Sequence, residues 1–211
     1  MYEFEAIAIL ALLFIIVYIF GSSRNRKLAK KYAKIIKECL SPYSEFIGFR
    51  AFGLSGFRCL SQLKKDERFS KIEIAVTLMD RENLMHYPLS LITHERDRLV
   101  CWAFLKRKPS CRIEILPKSN VKAIKKLPDD LKLVLIEKEF DEGFIIKSRF
   151  EDYPKRVFAD NSIRQRMLGF KDYVMRVSIK DEDSMLHLIG YANEISIPKL
   201  INFLLGLGDR L

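Results

Sequence analysis

KIEIAVTLMD, Lys71–Asp80, sets the class of the fold, because Ile72, Ile74, Val76 and Leu78 alternate with more polar positions. A period of two places every second side chain on one face of a strand, so one side is buried and the other meets water. Short runs of similar make-up follow along the chain: YPLSLITHE (Tyr87–Glu95), LVCWAFLKR (Leu99–Arg107), CRIEILPK (Cys111–Lys118), LKLVLIEKEF (Leu131–Phe140) and GFIIKSRF (Gly143–Phe150). Each is rich in β-branched or aromatic residues, is bounded by charge, Pro or Gly, and is short for a helix. VMRVSIKDEDSMLHLIGYA, Val174–Ala192, reads as two strands joined at Asp181–Asp183. FIGFRAFGLSGFRCL, Phe46–Leu60, reads as strand or irregular structure, its glycines 48, 53 and 56 permitting bulges, turns or close backbone approach.

Helices are expected at the two ends of this sheet, with a further one near Asn161–Leu168. The fold class is therefore α+β, a mainly antiparallel sheet with flanking helices behind a single N-terminal transmembrane helix. ISIPKLINFLLGLG, Ile195–Gly208, offers the terminal helix, beginning near Pro198, where proline suits the first turn. Its apolar side chains run almost all round. Core burial explains such a helix, and so does docking on a membrane or a partner; the docking candidates are Leu200, Phe203, Leu204 and Leu207.

At the N-terminus, Ala6 to Phe20 contains no charged or strongly polar residue, and with Phe4 the run approaches the roughly 20 residues that a bilayer core requires. Phe4, Ala6, Ile9, Leu13, Ile16 and Phe20 mark the expected span. Glu3 and Glu5 precede it, whereas Arg24, Arg26, Lys27, Lys30, Lys31, Lys34 and Lys37 follow, against Glu38 alone. A cleaved signal peptide has the opposite charge order. The positive-inside rule puts the N-terminus outside and the rest in the cytosol, as an uncleaved single-pass anchor. The sequence thus divides into an anchor (1–21), a basic amphipathic helix (22–41) and a cytosolic α+β domain (42–211). Leu28, Tyr32, Ile35, Ile36, Cys39 and Leu40 form the apolar stripe of the second segment. Its basic patch, Arg24, Arg26, Lys27, Lys30, Lys31 and Lys34, suits anionic lipid, each cation contributing about 1 kcal/mol, or ribosomal RNA.

The chain has 211 residues, 49% hydrophobic and 30% charged, with a formal net charge of +10, the composition of a globular protein with a cationic surface. Cys39, Cys59, Cys101 and Cys111 are too scattered for a zinc site or a disulfide scaffold and read as buried thiols. His86, His94 and His187 stand apart, and no nucleophile elbow, Walker loop or dinucleotide fingerprint occurs. THERD, Thr93–Asp97, reads as a loop with a local ion pair, and KDEDS, Lys180–Ser184, as a solvated hairpin tip lacking the glycine and distal glutamate of a calcium loop. No catalytic residue, metal, cofactor, small-molecule substrate or DNA partner is expected. A tethered hydrolase would require two of the histidines to meet carboxylates in a pocket.

The order of features resembles the calumin family, coiled-coil-domain proteins of the endoplasmic reticulum that form part of the PAT complex of the multipass translocon. The resemblance rests on the anchor with its flank GSSRNRKLA (Gly21–Ala29), on IEIAVTLMDREN (Ile72–Asn83), on LPDDL (Leu127–Leu131) and on PKLINFLL (Pro198–Leu205). It implies a noncatalytic, membrane-anchored, chaperone-like accessory factor for insertion or folding of multipass membrane proteins. Its implied partners are membrane lipid, an Asterix-like small membrane protein, a Sec/SecY-type translocon and the ribosome. The chain looks like a compact version without the acidic luminal region and coiled-coil tail of the animal relatives, in an archaeal cell membrane or, in a eukaryote, the ER membrane. The alternative from the residues alone is a membrane-surface scaffold or signalling module that binds anionic lipid through its basic helix.

Overall fold

A computed structural model describes residues 2–64 and 68–211; Met1, the first residue of the expected anchor, lies outside them. α1 (Tyr2–Leu40) is one unbroken helix, so the expected anchor and basic helix are two parts of a single rod. A 39-residue helix is about 58 Å long at 1.5 Å per residue. Its outer part is long and apolar enough to cross a membrane, with mean hydropathy 2.6 over the best window and 6% of that window buried. A core helix of a soluble domain would be mostly covered.

β1 (Ser44–Ala51), β2 (Gly56–Leu63) and β3 (Phe69–Thr77) form a meander. α2 (His86–Ile92) leads to β4 (Arg98–Leu105), and β5 (Ile113–Pro117) follows. α3 (Val121–Ile124), β6 (Lys132–Val134), α4 (Lys138–Gly143) and β7 (Phe144–Ser148) come next, then α5 (Asp152–Val157) and α6 (Asn161–Leu168). β8 (Val174–Lys180), β9 (Met185–Tyr191) and α7 (Ser196–Gly208) complete the chain. The strands make one nine-stranded sheet in the order β1-β2-β3-β4-β9-β8-β5-β7-β6, and the paired strands run antiparallel. The α+β expectation holds. The last hairpin, β8–β9, sits between β4 and β5, so it joins the N-terminal meander to the other half of the sheet.

One face of the sheet is the core. Ile72, Ile74, Cys101, Ala103, Leu186, Leu188, Val177 and Ile179 lie on it, fully or almost fully buried. Tyr32, Ile36 and Leu40, one helical turn apart on α1, cover the meander side, and α7 covers β4 and β9. Each such aliphatic side chain contributes about 1.5–3 kcal/mol on burial. Beneath the other half, Phe140 stacks on Phe144 at a ring separation of 5.2 Å and packs at a tilt against Phe158 at 5.7 Å.

Two segments expected as strands are otherwise. Tyr87–Glu95 forms α2 and its following turn because the Asn83 carboxamide accepts from the Met85 and His86 N–H groups and starts the helix. Pro88 falls in the first turn, where its missing N–H costs nothing. In Leu131–Phe140 only Lys132–Val134 is strand; the Asp141 carboxylate accepts from the Ile136 N–H and turns the chain into α4. Phe46–Leu60, left open between strand and irregular structure, is the β1–β2 hairpin. Gly56, at φ +147°, is required there because a Cβ would run into the Val76 carbonyl oxygen.

Candidate functional site

The helix α1 enters the domain at Gly21. A Cβ at Gly21 would collide with the Arg81 carbonyl, so the absence of a side chain lets α1 lie directly on the backbone of Arg81 and Glu82. One turn on, Asn25 is buried within a strongly basic stretch. Its amide Nδ2 donates to Glu82 Oε2 at 2.7 Å, to the Met79 carbonyl at 3.0 Å and to the Leu54 carbonyl at 3.4 Å. Its Oδ1 accepts from Arg81 Nη1 at 2.9 Å.

Arg81 in turn makes a two-pronged pair with Asp97, Nη1 to Oδ1 at 2.9 Å and Nη2 to Oδ2 at 3.1 Å. Asp97 also accepts from the Met79 N–H at 2.8 Å and from the Tyr32 hydroxyl at 3.2 Å, which returns the network to α1. Burial, then the negative charge of Asp97, pushes the Tyr32 phenol up to about 12. Desolvated charges persist only when paired and hydrogen-bonded. Asn25, Arg81, Asp97 and Tyr32 meet that condition together, and the result is a polar lock between the rod and the domain. Among the described residues no group of three or more His, Cys, Asp and Glu side chains is placed to hold a metal.

On the outside of α1, all six residues of the expected basic patch are exposed. Lys31 pairs with Glu194 at 2.6 Å and Lys34 with Glu38 at 3.9 Å. Arg24, Arg26, Lys27 and Lys30 carry no ion pair among the described residues, so four cations directly follow the apolar span. Arg24 and Lys27 rim an open cavity of about 510 Å³ whose wall includes Ile16, Phe20, Arg81 and Tyr87. The expected span residues Phe4, Ala6, Ile9, Leu13, Ile16 and Phe20 are all exposed. A larger cavity of about 720 Å³ opens beside α6 and α7, with Arg68, Arg166 and Lys199 against Phe69, Phe170 and Phe203.

The docking candidates on the terminal helix are corrected by packing. Leu200, Phe203, Leu204 and Leu207 are buried in the core. Phe203 meets Phe170 edge-on at 5.0 Å, and a Cβ on Gly190 would strike Leu200. The helix is apolar because it fills the space between sheet, α1 and α6. Its start is fixed by the Asn193 carboxamide, which accepts from the Ile195 and Ser196 N–H groups.

The histidines serve different surroundings. His86 lies 3.6 Å from Glu95, and His94 is exposed with φ 53° in the turn after α2. His187 stacks on Trp102 at 5.7 Å on the sheet face opposite the core. Burial, then the charges of Lys180 and Arg176, lowers its pKa to about 4. That face carries a row that the register aligns across the strands: Glu73, Trp102, His187, Ser178, Glu114 and Lys147. Glu114 is fully buried; desolvation raises its pKa, but hydrogen bonds from Arg176, Ser178 and Arg112 outweigh it and the net shift is downward. The alternation in β4 and β9 forecasts such a face, while the cross-strand partners depend on register.

The chain matches no protein-family model and no curated protein. Among solved structures, it is similar to the crystal structure of the mycobacterial trehalose monomycolate transport factor A, TtfA. The TM-score is 0.50 at 14% identity, over 88% of this chain and 95% of that one. The likeness is one of fold. At this identity it concerns the layout of helices and strands alone.

Proposed function

We propose that the chain is a noncatalytic, single-pass accessory factor in membrane-protein biogenesis, with its N-terminus outside and its α+β domain in the cytosol. The observation that carries this reading is the lock: Asn25, Arg81, Asp97 and Tyr32 hold the domain at one height and angle to its span. A factor that works beside a second membrane complex needs that fixed geometry, whereas a tethered soluble domain needs only a linker. The charge order supports the orientation, and the calumin-like layout supports a Sec/SecY-type translocon, an Asterix-like protein and the ribosome as partners. Photocrosslinking from the domain in native membranes that carry translating ribosomes tests it. Recovery of translocon, ribosome or nascent membrane protein is expected; lipid or unrelated enzymes alone would sink it.

The four exposed cations that carry no ion pair among the described residues favour a second reading, a surface scaffold for anionic lipid. Charge reversal at Arg24, Arg26, Lys27 and Lys30 that abolishes binding to anionic partners while leaving translocon crosslinks intact would separate the two roles. Because the fold neighbour is named a transport factor, capture of a transporter in the same experiment would move the reading to that class.

A further inference from the structure

Four large apolar side chains crowd the short segment from Met85 to Ile92 on the outside of the domain. Met85 is 75% exposed, Leu89 55%, Leu91 55% and Ile92 75%. α2 itself, HYPLSLI, contains no Lys, Arg, Asp or Glu. A cluster of this kind is unusual on a water-facing surface. Its height along α1 is set by two contacts: Gly21 lies against the backbone of Arg81 and Glu82, and Tyr87 shares a cavity wall with Ile16 and Phe20. The segment therefore begins level with the last turn of the apolar span. An interfacial helix lies in the membrane plane with its apolar face buried about 5–10 Å into the headgroup and acyl boundary, and Met85, Leu89 and Ile92, spaced by four and three residues, fall on one such face. The β1–β2 turn reaches the same level, since Asn25 donates to the Leu54 carbonyl, and it carries exposed Phe52. Arg24 and Lys27 stand at the rim of the shared cavity, where lipid phosphates would lie.

We propose that α2 and Met85 enter the interfacial layer of the bilayer, so that the domain touches lipid at a second point beside α1. The occupant of the apolar cluster is lipid, because the surface is continuous with the span and flanked by the cations that follow it. The inference rests on α1 crossing the membrane, and it is independent of which complex the domain serves.

The test uses the full chain with Cys39→Ser, reconstituted into phosphatidylcholine vesicles and, separately, into phosphatidylcholine–phosphatidylglycerol vesicles. Nitroxide labels are placed singly at Leu89→Cys, Ile92→Cys, Leu12→Cys and Leu133→Cys, all exposed positions. Oxygen and a water-soluble nickel chelate compete for each label in power-saturation measurements. Labels at 89 and 92 are expected to show an oxygen preference several-fold above that at 133, in both lipid mixtures. Equal nickel access at 89, 92 and 133 would overturn the inference, as would dipolar broadening at 89 and 92, which would mean that a second copy covers the cluster. A water-exposed label at 12 would instead overturn the span itself, and so distinguishes failure of the membrane reading from failure of this one.

Discussion

Arg81 and Asp97 meet through two hydrogen bonds, 2.9 and 3.1 Å, directly beneath the point where α1 leaves its apolar stretch. Asp97→Ala would leave the Arg81 cation buried and strip acceptors from Tyr32 and the Met79 N–H. The expected loss is about 3–5 kcal/mol, read by denaturant unfolding of the full chain in detergent. A loss below about 1 kcal/mol would remove the lock from the stability of the domain.

Gly21→Val inserts side-chain atoms where the Arg81 carbonyl already sits. Either α1 or the segment before α2 must shift, at a cost of about 1–3 kcal/mol. Ser23→Ala, at an exposed position two residues away, should stay within about 0.5 kcal/mol. Equal effects of the two substitutions would mean that α1 does not depend on that close approach.

Acid should weaken the fold through the sheet face opposite the core. The His187 pKa is depressed to about 4, so between about 6.5 and 4 the unfolded chain takes up a proton that the folded chain refuses. Stability therefore falls as pH drops through that window and rises with pH. Glu114, also depressed, adds a loss in the same direction below the ordinary carboxylate value of 4.5. His187→Gln should flatten the slope above pH 4. Trp102, the single tryptophan, reports the folded-state titration by its fluorescence, with a midpoint near 4.

Thiol reactivity should follow burial. Cys59 and Cys101 are inside the core, and desolvation pushes Cys59 up to about 12 and Cys101 higher still. Cys39 is half-exposed on α1, although its thiol is also raised, by burial and then by Glu38. A maleimide reagent at neutral pH should modify Cys39 in the folded protein and reach the other three only after denaturation, as counted by mass spectrometry.

The strands around Lys71–Asp80 were legible because burial of one sheet face imposes a period of two on each of them. α2 was not, since its start depends on the Asn83 side chain and seven residues are too few to show a helical period. The lock left a fainter mark. Asn25 lies on the same helical stripe as Leu28, Tyr32 and Ile36, and a neutral carboxamide amid lysines and arginines is the clue to a buried partner. The partner itself, Arg81, is 56 residues away, and Asp97 read only as one end of a polar loop. Leu200 and Phe203 showed an apolar helix, but which surface receives it is decided by sheet topology.

The continuity of α1 has a mechanical consequence. A span accommodates a thinner or thicker bilayer by changing its tilt, and a helix without a break passes that rotation on undiminished. With α1 as the proposed span, each degree of tilt swings the nine-stranded sheet by the same degree, converting the thickness of the surrounding lipid into the attitude of the domain.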